Sequence, residues 1–176
     1  MAGRKGLHTM SEAPSGSEDS PQVENFARHA GLEPKKSAEG AANDAISPDP
    51  TDVYAWYTTG MELLGKGSPA AAAQVLQRAA DAEPASRSVR EALARAQFDT
   101  GRYAEAADNF RVIVEASPSD DYAHFGLGLA LARTGDHEAA VEYLALAAAM
   151  RPDRKPYTDA LREVRATLRA RKRTAE

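Results

Sequence analysis

The chain contains no cysteine. That excludes disulfides, thiol chemistry and cysteine-ligated metal, and leaves the redox compartment open. Aromatic residues make up only 6% of the chain while alanine is abundant, a composition that suits many thin, closely stacked helices better than a broad core of rings. No stretch approaches the roughly 18 apolar residues of a membrane span. Arg4 and Lys5 are followed by Gly, His, Thr and Glu where a secretory signal needs an apolar run. A soluble cytoplasmic protein is the expectation, and the alanine and arginine usage suggests a GC-rich bacterial genome. Catalytic constellations are scarce as well. None of the four histidines (His8, His29, His124, His137) pairs with another at ligand spacing, and no nucleophile has a sequence-evident base. Asp120-Asp121 reads as a pair of carboxylates at a helix start, not as an acid–base pair. Gly126 and Gly128 are too sparse for a phosphate loop. The expectation is a non-enzyme with no metal and no cofactor.

What the 176 residues do contain is uneven charge and strong punctuation. The net charge is −4, but residues 151–176 carry nine Lys/Arg against four Asp/Glu, a basic end on an otherwise acidic protein. Residues 1–50 are rich in Ser, Gly, Pro, Ala and Glu and poor in large apolar side chains. Such a segment cannot offset a backbone ordering entropy of about 1–2 kcal/mol per residue, so it reads as a disordered tail. The true start is either Met1 or Met10. Within the tail, Ser20-Pro21 is a helix-start signal. Val23, Phe26, Ala27 and Ala30 share one face of a short helix over 21–30, which Gly31 ends. It is too short to persist alone and is either a transient helix or a docking element.

From residue 51 onward the pattern changes to a repeat. Pro84, Pro118 and Pro152 are spaced by 34 residues, as are Gly67, Gly101 and Gly135. Ala72, Ala106 and Ala140 keep the same register, and so do Leu76, Phe110 and Leu144, and Ala79, Ile113 and Ala147. Each class fits a helix hairpin. Glycine relieves a left-handed residue between the two helices, and proline follows the end of the second. Ser68-Pro69, Ser86, Ser119 and Asp136 supply start signals. The small alanines mark the closest approach of paired helices, and the larger residues one turn on plug the layer between hairpins, at about 1.5–3 kcal/mol each. The expected architecture is all-α: an α-solenoid of three tandem helix-turn-helix repeats (53–86, 87–120 and 121–154 within 51–154), then a capping helix over 155–173. That last helix carries Tyr157, Leu161, Val164 and Leu168 as an apolar stripe, with Arg169 where a hairpin would need glycine.

This 34-residue pattern resembles the tetratricopeptide repeat (TPR) family. The first repeat offers Trp56, Thr59-Gly60, Leu63, Gly67, Ala72, Leu76, Ala79 and Pro84. The third offers His124, Leu127-Gly128, Leu131, Gly135, Ala140, Leu144, Ala147 and Pro152. The middle one is weaker, with Arg90 and Gln97 at large apolar positions, but keeps Leu93-Ala94, Gly101, Ala106, Phe110, Ile113 and Pro118. The resemblance covers residues 53–154. It implies a curved solenoid whose first helices line a concave, peptide-binding side. Projected onto this sequence, that face holds Tyr54, Tyr57, Met61 and Leu64, then Ser88, Glu91, Arg95 and Phe98, then Tyr122, Phe125, Leu129 and Arg133. Family members that clamp acidic C-terminal peptides use Lys and Asn there, whereas Tyr57, Met61 and Phe125 stand in such places here, which argues against a clamp. An exposed aromatic stripe calls for a cover. An amphipathic helix or extended apolar peptide of a partner protein fits, and the alternatives are the chain's own N-terminal arm or a second copy in a homodimer. A rival reading assigns nucleic acid, or another anionic surface, to the basic strip Arg162, Arg165, Arg169, Arg171, Lys172 and Arg173. No aromatic side chain interleaves that strip for base stacking.

Overall fold

The computed structural model describes residues 52–174, and the N-terminal tail, with the short helix expected over 21–30, lies outside them. The described residues form seven α-helices. They are α1 (Val53–Gly65), α2 (Pro69–Ala82), α3 (Arg87–Asp99), α4 (Tyr103–Ala116), α5 (Asp121–Thr134), α6 (His137–Met150) and α7 (Lys155–Thr174). Each helix packs chiefly on its neighbours in sequence. Beyond that, the first helices of successive hairpins touch (α1 with α3, α3 with α5, α5 with α7), while the second helices scarcely meet. Closer spacing of the first helices puts them on the inside of an arc, and the protein is an all-α helical repeat solenoid.

The local causes can be read from the chain. Gly67, Gly101 and Gly135 have φ of +71°, +79° and +96°, the left-handed turn that a Cβ would strain. The prolines fall just past the C-caps Glu83, Ser117 and Arg151. Carboxylates do the N-capping. Asp52, Asp120 and Asp136 accept from the backbone N–H groups of Ala55, Ala123 and Ala139 at 3.0–3.1 Å. The serine signals are weaker than expected: Ser68 and Ser86 occupy N-cap positions without a side-chain bond, and Asp120 takes the role expected of Ser119. An ionised oxygen near a helix N-terminus bonds more strongly than a neutral hydroxyl.

Packing within and between hairpins is set by size matching. Ala72, Ala106, Ala140, Leu76, Phe110 and Leu144 are all fully buried. A Cβ on Gly128 would lie 2.6 Å from Leu144 Cγ, and Gly60 is crowded likewise by Leu76, so these glycines let paired helices close. The middle hairpin differs. Ala94 takes the glycine position, and the bulkier Phe110 points at the next hairpin, where a Cβ on Gly126 would lie 2.5 Å from its Cζ. Arg90 and Gln97, the two misfits of the middle repeat, are joined by a polar ladder. Arg90 donates to Asn109 Oδ1 (2.9 Å), Asn109 Nδ2 to Gln97 Oε1 (2.8 Å), and Gln97 to Glu105 (3.3 Å). Gln97 is 2% exposed, a burial that these bonds make tolerable.

The far end is closed by α7. Tyr157, Ala160 and Val164 are buried. The Tyr157 ring stacks on Phe125 at 4.4 Å, and its hydroxyl donates to Asp121 Oδ2 at 2.9 Å. Arg162, Arg165 and Arg169 sit one repeat length beyond Gly128, Leu131 and Gly135, on the face where a second helix would otherwise pack. At the near end, Ala55, Thr58, Thr59 and Glu62 of α1 occupy the register that Val89, Ala92, Leu93 and Ala96 fill in α3. A further hairpin would find little apolar surface on either face.

Candidate inner-face binding site

The inner face is built by the first helices, with side chains three or four residues apart aligned on one stripe of each. On α1, Tyr54 is 75% exposed, and Tyr57, Met61 and Leu64 are half-buried against a small core of Ala72, Ala73, Leu76, Ala92, Leu93 and Ala96. On α3, Ser88 is exposed and Glu91 and Arg95 are half-buried. Glu91 lies 3.7 Å from Arg87, which also reaches across to Asp120 at 2.5 Å. Burial pushes the Glu91 carboxyl above its ordinary range despite the opposing pull of Arg87. Arg95 buries its Nε with no hydrogen-bond partner. On α5, Tyr122 is half-buried with its ring edge-on to Phe110 at 6.4 Å, and burial raises the pKa of its hydroxyl. Arg133 is exposed.

Two of the residues expected to line this face, Phe98 and Phe125, do not, and a third, Leu129, only edges a concavity at its far end. Phe98 (1% exposed), Phe125 (0%) and Leu129 (6%) lie in the core. Phe98 is held edge-on to Tyr103 at 5.1 Å, and Phe125 is covered by Tyr157 of the capping helix. The expected continuous aromatic stripe is therefore absent. The largest exposed aromatic surface on this face lies at the α1 end, and the middle is polar.

The other end holds a concavity of about 380 Å³ between α5, the start of α6 and α7. Leu129, Ala132, Ala160 and Val164 form its floor, with Arg133 and His137 on one wall and Asp159 and Glu163 on the other. Sequence reasoning missed Asp159 and Glu163, although extending the register of Phe125 and Leu129 by 34 residues leads to them. Away from the inner face, the exposed large apolar side chains among the described residues are Val112, Leu146 and Met150, all on second helices.

Two family models described as tetratricopeptide repeat match the chain, over residues 57–121 and 98–164. The chain belongs to the tetratricopeptide repeat family. No curated protein sequence matches it. Solved structures are similar in fold. The TPR domain of Sgt2 from Aspergillus fumigatus is 18% identical, with a TM-score of 0.64 over 77% of this chain and 90% of that one. MamA (41-end) from Desulfovibrio magneticus RS-1 is 22% identical, with a TM-score of 0.65 over 71% of each. The first TPR of Spaghetti (RPAP3), solved with the HSP90 peptide SRMEEVD, is 20% identical, with a TM-score of 0.62 over 70% of this chain and 98% of that one.

Both described histidines of this TPR protein bond to a backbone carbonyl. His124 is 4% exposed, holds the Asp120 carbonyl through Nδ1 at 3.1 Å and sits edge-on to Tyr143. His137 Nδ1 meets the Gly135 carbonyl at 2.7 Å. Among the described residues no three His, Asp or Glu side chains converge as metal ligands, and no helix is long and apolar enough to cross a membrane. The basic strip on α7 is partly engaged. Arg162 pairs with Asp159 at 2.6 Å, Lys172 with Glu138 at 3.5 Å, and Arg171 reaches the Gly135 carbonyl at 3.4 Å.

Proposed function

We propose that this TPR protein is a non-enzymatic interaction module that holds an amphipathic segment of a partner protein on its inner face. The segment's large apolar side chains lie on Tyr54, Tyr57, Met61 and Leu64, and its polar edge faces Glu91 and Arg95. The carrying observation is the exposure of Tyr54 beside three half-buried apolar residues on the same stripe of α1. A helix-in-groove contact of this kind draws most of its affinity from a few aromatic anchors. A carboxylate clamp remains disfavoured, because Tyr57 and Met61 carry no charge to offer an acidic peptide. The fold neighbour bound to an HSP90 peptide supports peptide holding as a general use of this architecture. A cytoplasmic, bacterial setting belongs to the same reading and rests on composition.

The basic strip on α7 is read as a solvent-facing cap in the register of a missing second helix, and no observation favours nucleic acid or a homodimer over it. The test is affinity capture with the full chain, comparing Tyr54→Ala/Tyr57→Ala on the inner face with Val112→Ala/Leu146→Ala on the outer. The inner variant loses its bound proteins while keeping its helical circular dichroism, and the outer one retains them. Equal capture by the inner variant and the wild type would end this reading.

A further inference from the structure

We infer that the concavity between α5, the start of α6 and α7 takes one arginine side chain of the partner segment, with its guanidinium on the carboxylates of Asp159 and Glu163. This rests on the inner face being the binding site, and it adds what the segment carries at its far end. Asp159 and Glu163 continue the inner-face register of Phe125 and Leu129 onto the capping helix. A segment that crosses the first helices from α1 therefore meets them last. The concavity, about 380 Å³, is near the small end of the roughly 300–1,000 Å³ that holds whole small molecules. It suits a single long side chain. Its floor of Leu129, Ala132, Ala160 and Val164 is aliphatic. The methylene stem of an arginine covers such a surface while its charged head stays with polar groups.

The walls choose the head group. Asp159 and Glu163 both line the concavity from α7. They stand one turn apart, with Cβ atoms about 5–6 Å from each other, a separation that one guanidinium spans with a donor to each. Arg162 holds Asp159 Oδ1 at 2.6 Å from outside the concavity. The other Asp159 oxygen and both carboxylate oxygens of Glu163 accept no hydrogen bond among the described residues. A guanidinium fork serves two such acceptors at once, whereas the ammonium of lysine is a point charge. Arg133 and His137 face these carboxylates from the opposite wall. They drive a cation toward α7, and they are the competing seat for an acidic side chain. The His137 ring is already engaged, by the Gly135 carbonyl at 2.7 Å and by Arg171 at 3.2 Å. None of the basic strip residues of α7 lines the concavity, so its α7 wall is acidic although the helix as a whole is basic.

The test titrates three small probes into the full-length, methyl-labelled chain and follows them by NMR. They are Nα-acetyl-arginine amide, its uncharged isostere Nα-acetyl-citrulline amide, and Nα-acetyl-glutamate amide. The arginine probe is expected to shift the methyl groups of Leu129, Ala160 and Val164 saturably at millimolar concentration and to leave Met61, at the other end of the face, in place. The citrulline probe binds at least about tenfold more weakly. Glu163→Gln, at a carboxylate that holds no partner within the described fold, weakens the arginine probe about fivefold. Adding Asp159→Asn abolishes saturation while the rest of the methyl spectrum stays native. Equal shifts from citrulline would overturn the inference by showing an apolar dent only, and stronger shifts from glutamate would hand the site to an acidic side chain. Arginine binding that is absent, or unchanged in the double variant, would overturn it too. The probes reach neither α1 nor any partner protein, so failure here leaves the capture test standing, and failed capture with intact probe binding removes the partner reading alone.

Discussion

The two ends of the inner face carry the same kinds of side chain in the same register and treat them oppositely. Tyr57 and Met61 on α1 stand where Phe125 and Leu129 stand on α5, 68 residues further along the chain. The first pair is half-buried beside an exposed Tyr54, and the second lies in the core. For Phe125 the cause is one residue on the following first helix. The register that holds Val89 after the first hairpin and Ala123 after the second holds Tyr157 after the third, and that ring lies flat on Phe125. Membership of a face does not determine exposure in a stacked array. The width of the next layer does, so a short array closed by a bulky cap is open mainly at its other end.

The comparison can be broken at its source. Tyr157→Ala removes the ring over Phe125 together with its bond to Asp121, and costs about 3–5 kcal/mol in urea unfolding. Tyr157→Phe keeps the stack, loses only the hydroxyl, and costs about 1 kcal/mol. If the alanine variant unfolds no more easily than the phenylalanine one, the stack is not what buries Phe125. Sharpening comes from a feature that the two ends share. Gly60→Ala and Gly128→Ala each drive a methyl against the leucine of their own second helix, and each costs about 1–3 kcal/mol. A large difference between them would mean that the hairpins themselves, and not their neighbours, differ.

The smallest effect lies between the ends. Folding raises the Glu91 pKa, so its contribution favours the folded state below the ordinary carboxylate value of 4.5 and turns unfavourable as pH rises through the raised one. Glu91→Gln, which cannot ionise, is therefore expected to be the more stable protein at neutral pH. Its advantage shrinks as pH falls through the raised value toward 4.5 and is lost below it. Melting curves of both proteins across that range decide it, and an advantage that grows in acid would be the wrong sign.

Much of the fold was legible because backbone geometry dictates the punctuation. A left-handed turn demands glycine and a helix end tolerates proline, whatever surrounds them. The site was less legible, because Phe98, Phe125 and Leu129 are governed by side chains one helix away that the repeat pattern does not constrain. The same reason hid Asp159 and Glu163, which belong to the cap and not to a repeat. Arg90 and Gln97 looked like weaknesses of the middle hairpin because their compensation, Asn109, sits on the opposite helix.

Phe110 and Gly126 carry a consequence for how such a protein can be altered. The ring of the middle hairpin is accommodated only by a hydrogen atom on the unit that follows it, where the other first helices carry Thr58, Ala92 and Ala160. The three units are therefore not interchangeable bricks. Excising the third unit, duplicating the second, or moving another unit behind the second would leave a phenyl ring facing a methyl or a hydroxyl, so the order of the array is written into its seams.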